Sequence, residues 1–346
     1  MELGSACSSS GSALASPVRR YAAIDIGTVT CRLLLAEADG RGGLRVLRRE
    51  AVITNLGEGV DATGVLKPEA MARVAEQIRR FRAIIDEADE AARAAQAAGA
   101  EGAFAPTKIV ALATSAARDA QNSDEFARML EELGVRLSVI PGEREAALSF
   151  RGASSCMGGE RLLVVDTGGG STEVIAGVGG SDPEFLHSFN VGCRRVTERF
   201  LESDPPAEEE LARAREWAHG EMAPWFEELR AAGFSPARMV AVAGTATSIV
   251  SVRERMEVYD SGRVHLSVVS ASDLDRVYGE LKAVPLEERK RIVGLDPKRA
   301  NVIVAGALIL EVVRELAGVS EFMVSESDIL QGIVLDAAER DFLAGK

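Results

Sequence analysis

Residues 162–177 read LLVVDTGGGSTEVIAG. An apolar run carries into Asp166, then Gly168, Gly169 and Gly170 follow. Ser171 and Thr172 come next, and a second apolar run opens after Glu173. Two aliphatic runs joined through glycines read as a strand, a tight turn and a returning strand. Residues 22–40, AAIDIGTVTCRLLLAEADG, are a weaker copy in which Asp25 takes the place of Asp166. Two such turns in one chain imply two related halves gripping one phosphate-bearing ligand between them.

Outward from these hairpins the chain alternates strand-like and helix-like segments, which indicates an α/β architecture. Segments 21–26 and 32–38 flank the first turn, and 44–54 continues that sheet. Pro68 opens a helix whose apolar face is Met71, Val74, Ile78, Phe81 and Ile85, spaced by three and four. The Ala-rich stretch 88–103 prolongs or frays it. Segment 108–114 is a buried-type strand, and Asn122 with Glu125 resembles a capping box for a helix ending at Gly134. A strand over 135–140 stops at Pro141-Gly142, where the next helix starts. Beyond the second hairpin, 205–231 is helical and acidic. A strand over 239–243 feeds the small residues Gly244-Thr245-Ala246-Thr247-Ser248 at a helix start. Helices over 301–316 and 329–342 bracket a short strand at 322–325. The Ser/Ala/Gly-rich residues 1–18 read as a disordered tail.

The length of 346 residues fits two domains, and a hydrophobic share of 47% with 5% aromatics predicts cores of Val, Ile, Leu and Ala. A formal net charge of −13 argues against a nucleic-acid binder or a membrane-surface protein. Cys7, Cys31, Cys156 and Cys193 have no CxxC spacing and only His187, His219 and His265 accompany them, so neither a zinc site nor a disulfide framework is expected. No apolar run approaches a membrane span and no signal-peptide pattern opens the chain, which gives a cytoplasmic expectation.

Glycines at 168–170 let the backbone take positive φ and approach a ligand, and successive amides in such a turn form an anion-binding concavity. Ser171 and Thr172 add hydroxyl donors. Carboxylates beside phosphate repel it unless a cation intervenes, so Asp25, Asp166 and Glu173 are read as ligands of a hard divalent ion, Mg2+ first. Neither turn is a Walker A loop, since no GKS or GKT follows the glycines. Gly244 marks a third turn whose bare amides suit an anion.

Together the turns resemble the phosphate-binding hairpins of the actin, Hsp70 and sugar-kinase superfamily. Closer matches follow in Ala113-Thr114-Ser115-Ala116-Ala117-Arg118-Asp119-Ala120-Gln121-Asn122, in Ile140-Pro141-Gly142-Glu143-Arg144-Glu145-Ala146, in Val191-Gly192-Cys193 with Thr197-Glu198-Arg199-Phe200, and in Pro297-Lys298-Arg299-Ala300. These resemble the exopolyphosphatase and guanosine pentaphosphate phosphatase family in its short two-domain form. The resemblance implies duplicated, ribonuclease H-like α/β domains around an interdomain cleft. Domain I would span 19–142 and domain II 143–325, with the helix in 326–346 returning to domain I.

It further implies roles. Glu145 becomes the general base that deprotonates water, with Glu143 as an internal control. Arg118 and Arg299 become phosphate-site arginines, and Thr28 joins Gly168, Gly169, Gly170, Ser171, Thr172 and Gly244 in binding phosphate. Arg144, Arg194 and Arg195 extend a positive track. The implied reaction is Mg2+-dependent hydrolysis of the terminal phosphoanhydride of inorganic polyphosphate, or of guanosine pentaphosphate, by a homodimer. An ATP-dependent kinase or a non-catalytic nucleotide-binding module of the superfamily ranks lower. The chain departs from the family where Val29-Thr30 replaces Asn-Ser, where Asn301 replaces an Asp, and where Leu330-Gln331 replaces Arg-Glu.

Overall fold

The computed structural model describes residues 18–98 and 105–345. The expected disordered tail, apart from Val18, and the end of the Ala-rich stretch lie outside the described residues. Five strands build the first sheet: β1 (Arg19–Ile26), β2 (Thr30–Ala38), β3 (Leu44–Ile53), β4 (Lys108–Ala113) and β5 (Leu137–Val139). Six build the second: β6 (Arg161–Thr167), β7 (Thr172–Val178), β8 (Pro183–Phe189), β9 (Arg238–Val242), β10 (Val268–Ser270) and β11 (Glu321–Val324).

The sheet orders are β3-β2-β1-β4-β5 and β8-β7-β6-β9-β11-β10. In each, a three-stranded antiparallel meander continues into parallel strands reached through helical crossovers. The second sheet is the first repeated, with β10 added at its edge, so the chain is the duplicated α/β fold expected from its hairpins. The repeat extends to the turns: Gly27 N–H donates to the Thr30 carbonyl at 2.9 Å, and Gly168 N–H donates to the Ser171 carbonyl at 3.0 Å. It extends also to register, since Asp25 stands opposite Arg32 and Asp166 opposite Glu173.

Both hairpins are buried on both faces, which is why they read as near-continuous apolar runs. The helix Pro68–Ala97 covers one face of the first sheet through the expected stripe of Met71, Val74, Ile78, Phe81 and Ile85. The other face is covered by the last helix, Ile329–Ala344, which lays Ile329, Leu330, Ile333 and Val334 on Tyr21, Ala23, Leu34 and Ala36.

That helix crosses the helix Gly142–Ala153 backbone to backbone. A Cβ at Gly152 would stand 1.7 Å from the Asp328 carbonyl oxygen, and one at Gly332 would stand 1.9 Å from the Leu148 carbonyl oxygen. Only glycine fits either position. The departure at Leu330-Gln331 is absorbed here: Leu330 is buried, and Gln331 Oε1 accepts the Asp328 amide at 3.0 Å in a capping box.

One local expectation fails. Asn122 precedes the helix Ser123–Glu131 but makes no side-chain cap. Its amide instead clasps Leu66, accepting from Leu66 N–H at 2.8 Å and donating to the Leu66 carbonyl at 3.0 Å, so a tertiary tether takes the group a cap would have used. Gly244–Ser248 forms the first turns of the helix Ala243–Arg253, directly after β9 as its sequence implies, with Ala243 at φ +67°. No helix among the described residues is long and apolar enough to cross a membrane.

Candidate active site

The two hairpin turns meet between the halves, at a cleft of about 930 Å3. Asp25, Thr28, Glu145, Asp166, Gly168, Gly169, Gly170, Ser171, Gly244 and Arg299 line it. Among the described residues the amides of Thr28, Val29, Gly169 and Gly170 donate to no protein acceptor. Buried amides are almost always paired, so a row of free ones marks a place for an anion.

The positive φ expected of the turn is absent from Gly168, Gly169 and Gly170. They let the halves touch. A Cβ at Gly169 would stand 2.6 Å from Val29 Cγ2 and 2.8 Å from Thr28 Cβ, and one at Gly170 would stand 2.3 Å from Ser115 Oγ. Val29 is correspondingly buried among the apolar side chains of the second half.

Glu145 lies one turn into the helix Gly142–Ala153, on the face that packs inward with Ala146, Leu148 and Ser149. It is buried while Glu143 is exposed, so the two glutamates are physically distinct. Burial, and then the charges of Glu173, Asp166 and Asp25, raise its carboxyl well above the ordinary glutamate range; Arg118 opposes the shift. Arg118 Nη1 lies 3.3 Å from Glu145 Oε2 and 3.2 Å from the Ile140 carbonyl. The structure thus brings Arg118 to the glutamate and not into the lining of the cleft.

What stands among the remaining carboxylates is Arg32, a residue the sequence reading passed over. Its guanidinium donates to Asp25 Oδ2 at 2.6 and 2.9 Å and pairs with Asp328 at the start of the last helix. Asp166 is raised by burial first, and held back by Arg32 and by the Ser149 hydroxyl, which donates to Asp166 Oδ2 at 2.6 Å. Glu173 is raised by burial and then by Asp166 directly opposite it, a like-charge pair across a buried hairpin. Its partner is Ser188 Oγ at 2.6 Å.

The trio assigned to a metal therefore needs correction. Asp25 is already taken by Arg32, and Glu173 accepts from Ser188 and does not line the cleft. Among the described residues no group of three or more His, Cys, Asp or Glu side chains is disposed to hold a metal ion. Asp166 and Glu145 remain on the cleft wall, with Thr167 Oγ1 buried and unpartnered next along the chain. Hard oxygens in that number suit a cation such as Mg2+, which keeps waters and takes the rest of its shell from phosphate.

Arg299 closes the other side. It forms no ion pair among the described residues, and its longest reach is Nη2 to Thr30 Oγ1 at 3.4 Å, across to the first turn. Burial pushes this guanidinium below its usual range, and nearby Arg32 adds to that. A buried cation without a carboxylate is costly unless an anion arrives. It lies flat on Gly244, whose Cα carries no side chain to displace it.

Thr172 leaves the phosphate set, because it is fully buried and donates its hydroxyl to the Val191 carbonyl at 2.5 Å. The expected track of arginines is also absent. Arg144 pairs with Asp336 at 2.6 Å, Arg194 with Glu198 at 3.1 Å, and Arg195 ties the helix Cys193–Phe200 to Asp61 and Asp119 of the first half. Arg195 thus joins the halves, and Arg144 and Arg194 are each engaged by a carboxylate.

The model of the Ppx/GppA phosphatase family matches residues 35–341. Exopolyphosphatase 2 of Mycobacterium tuberculosis strain H37Rv is 38% identical over 335 residues, covering 92% of this chain and 98% of that one. Among solved structures, the Aquifex aeolicus PPX-GPPA enzyme is 28% identical with a TM-score of 0.74, over 92% of this chain and 100% of that one. An exopolyphosphatase from Cytophaga hutchinsonii is 25% identical with a TM-score of 0.80, over 93% and 98%.

Proposed function

The chain belongs to the Ppx/GppA phosphatase family, whose members are phosphoanhydride hydrolases, and on that premise we propose that it releases the terminal phosphate of inorganic polyphosphate by attack of water. One observation carries the reading: unpaired donors from both halves, the free turn amides and Arg299, face a buried glutamate across one cleft. A polyanion supplies the charge that Arg299 lacks, so the overall charge of −13 is no obstacle to a local anion site.

The terminal phosphoryl would rest on the amides of Thr28, Val29, Gly169 and Gly170, with Arg299 on its oxygens. Glu145 accepts a proton from water as the water oxygen bonds to the terminal phosphorus. The bond from that phosphorus to the bridging oxygen breaks, and the shortened chain leaves with the electron pair. Arg118 orients the Glu145 carboxylate, and Arg32 keeps Asp25 from repelling the incoming chain. Mg2+, held by Asp166 with Glu145 nearby, would neutralise charge on the phosphate oxygens. The donors are fixed before the ligand arrives, which is what makes such groups effective in the transition state.

A specific observation favours guanosine pentaphosphate as a second reading. The cleft is also lined by Met256, Tyr259, Ile292, Val293 and Leu295, apolar surface that a bare phosphate chain does not use and a base and ribose do. Purified protein is incubated with Mg2+ and each substrate in parallel. Faster phosphate release from polyphosphate supports the first reading, faster release from guanosine pentaphosphate selects the second, and release from neither rejects both. Light scattering on the eluted protein tests the proposed homodimer.

A further inference from the structure

We propose that Ser149 is a positioning residue for this hydrolysis, acting by holding the Asp166 carboxylate in fixed relation to Glu145. The inference rests on the hydrolase reading above and deepens it. Ser149 follows Glu145 by one turn on the helix Gly142–Ala153, so both side chains leave the same helical face. Its hydroxyl is fully buried and donates to Asp166 Oδ2 at 2.6 Å. Asp166, near the end of β6, and Glu145 both line the cleft. One hydrogen bond therefore ties the helix that presents the base to the strand that presents the carboxylate facing phosphate.

The helix is itself immobilised. Its Gly152 sits against the Asp328 backbone, and its Leu148 backbone sits against Gly332 of the last helix. A serine on such a support has little freedom, so it selects one rotamer of Asp166 and leaves the other carboxylate oxygen free of it. Without the hydroxyl, Asp166 keeps only the more distant influence of Arg32 against the surrounding carboxylates, and a buried Oδ2 loses its donor. Outer partners of this kind typically govern ligand affinity or turnover by about 10- to 100-fold. A serine outside the site gives the comparison: Ser267 Oγ donates to the Val264 carbonyl at 3.0 Å, and Ser267 does not line the cleft.

The test compares wild type with Ser149→Ala, Ser149→Cys and Ser267→Ala. Ser149→Cys keeps the volume and weakens the donor, which guards against a folding failure in the alanine variant. Steady-state phosphate release from polyphosphate is measured against substrate and against Mg2+, and melting temperature is measured with and without Mg2+ plus inorganic phosphate. Both Ser149 variants should lose about 10- to 100-fold in kcat with KM within about three-fold. Their melting shift on adding Mg2+ and phosphate should shrink, while Ser267→Ala stays within about three-fold of wild type. Wild-type kcat and a wild-type melting shift in a folded Ser149 variant would overturn the proposal, as would an equal loss in Ser267→Ala. If the wild-type chain releases no phosphate, the hydrolase reading fails separately, and the melting shift still decides whether Ser149 supports the anion site.

Discussion

Replacing Gly244 by alanine should abolish most of the activity without harming the fold. The added Cβ would stand 2.2 to 2.5 Å from the Arg299 guanidinium. Ordinary contact between such atoms is about 3.5–4.0 Å, so the guanidinium must retreat by more than about 1 Å. It is the far end of a flexible side chain, and the displacement costs about 0.5–1.5 kcal/mol in rotamer strain. Alanine in place of glycine inside a helix returns up to about 1 kcal/mol, leaving stability nearly unchanged. The loss falls on the chemistry: a donor misplaced by about 1 Å costs on the order of 100-fold, and removal of one preorganised donor costs about 100- to 1,000-fold.

The assay is phosphate release at saturating polyphosphate and Mg2+, paired with thermal melting. Gly220→Ala is the control, since a Cβ there, within the helix Glu208–Ala231, meets nothing within 4 Å and should only stabilise. Adding Arg299→Ala to Gly244→Ala should cost little more, because both changes remove the same interaction. Wild-type turnover in folded Gly244→Ala, or a full additive loss in the double variant, would refute the placement of Arg299 on phosphate.

Glu145→Gln should retain polyphosphate binding and lose about 100- to 10,000-fold in turnover, whereas Glu143→Gln stays active; equal behaviour of the two would remove Glu145 from its role. The acid limb of kcat/KM should lie above the ordinary glutamate range, because the base works only when ionised and burial with neighbouring carboxylates raises it; a limb at the ordinary value would contradict that environment. The same shift makes Glu145 favour the folded state below its unfolded pKa and withdraw that support as pH rises through the folded value. Glu145→Gln should accordingly melt higher than wild type at alkaline pH, and an unchanged melting temperature would count against the burial argument. Gly169→Val should separate the two turns by pressing on Val29 and Thr28 and so weaken phosphate binding; unchanged affinity measured by calorimetry would break the cradle. Gly332→Ala should destabilise by about 1–3 kcal/mol or beyond through backbone overlap with Leu148, read as a lowered urea midpoint, and a neutral result would mean the helix crossing is looser than described.

The hairpins were legible because each places an Asp at the end of a doubly buried strand and small residues in the turn, and both signals are local. Glu145 and Arg299 were legible only through family motifs, since by residue type one reads as a helix-dipole glutamate and the other as a surface arginine. Arg32 was readable in principle: a turn closed between Gly27 and Thr30 fixes Asp25 opposite Arg32, and pairing of opposite charges follows. Attention to a cation site drew Asp25 towards a metal instead. Ser149 and the Gly152–Gly332 crossing were hidden because they depend on segments far apart in sequence. Thr172, Arg194 and Arg195 misled for a related reason: a hydroxyl or guanidinium type says nothing about which carbonyl or carboxylate reaches it first.

The most direct measurement is a crystal structure of Glu145→Gln soaked with Mg2+ and a short polyphosphate. The terminal phosphorus should sit against the amides of Gly169, Gly170 and Thr28, with the residue 145 carboxamide facing a water in line with the bond to be broken. A terminal phosphorus bound away from both turns, or with residue 145 remote from it, would contradict the assignment.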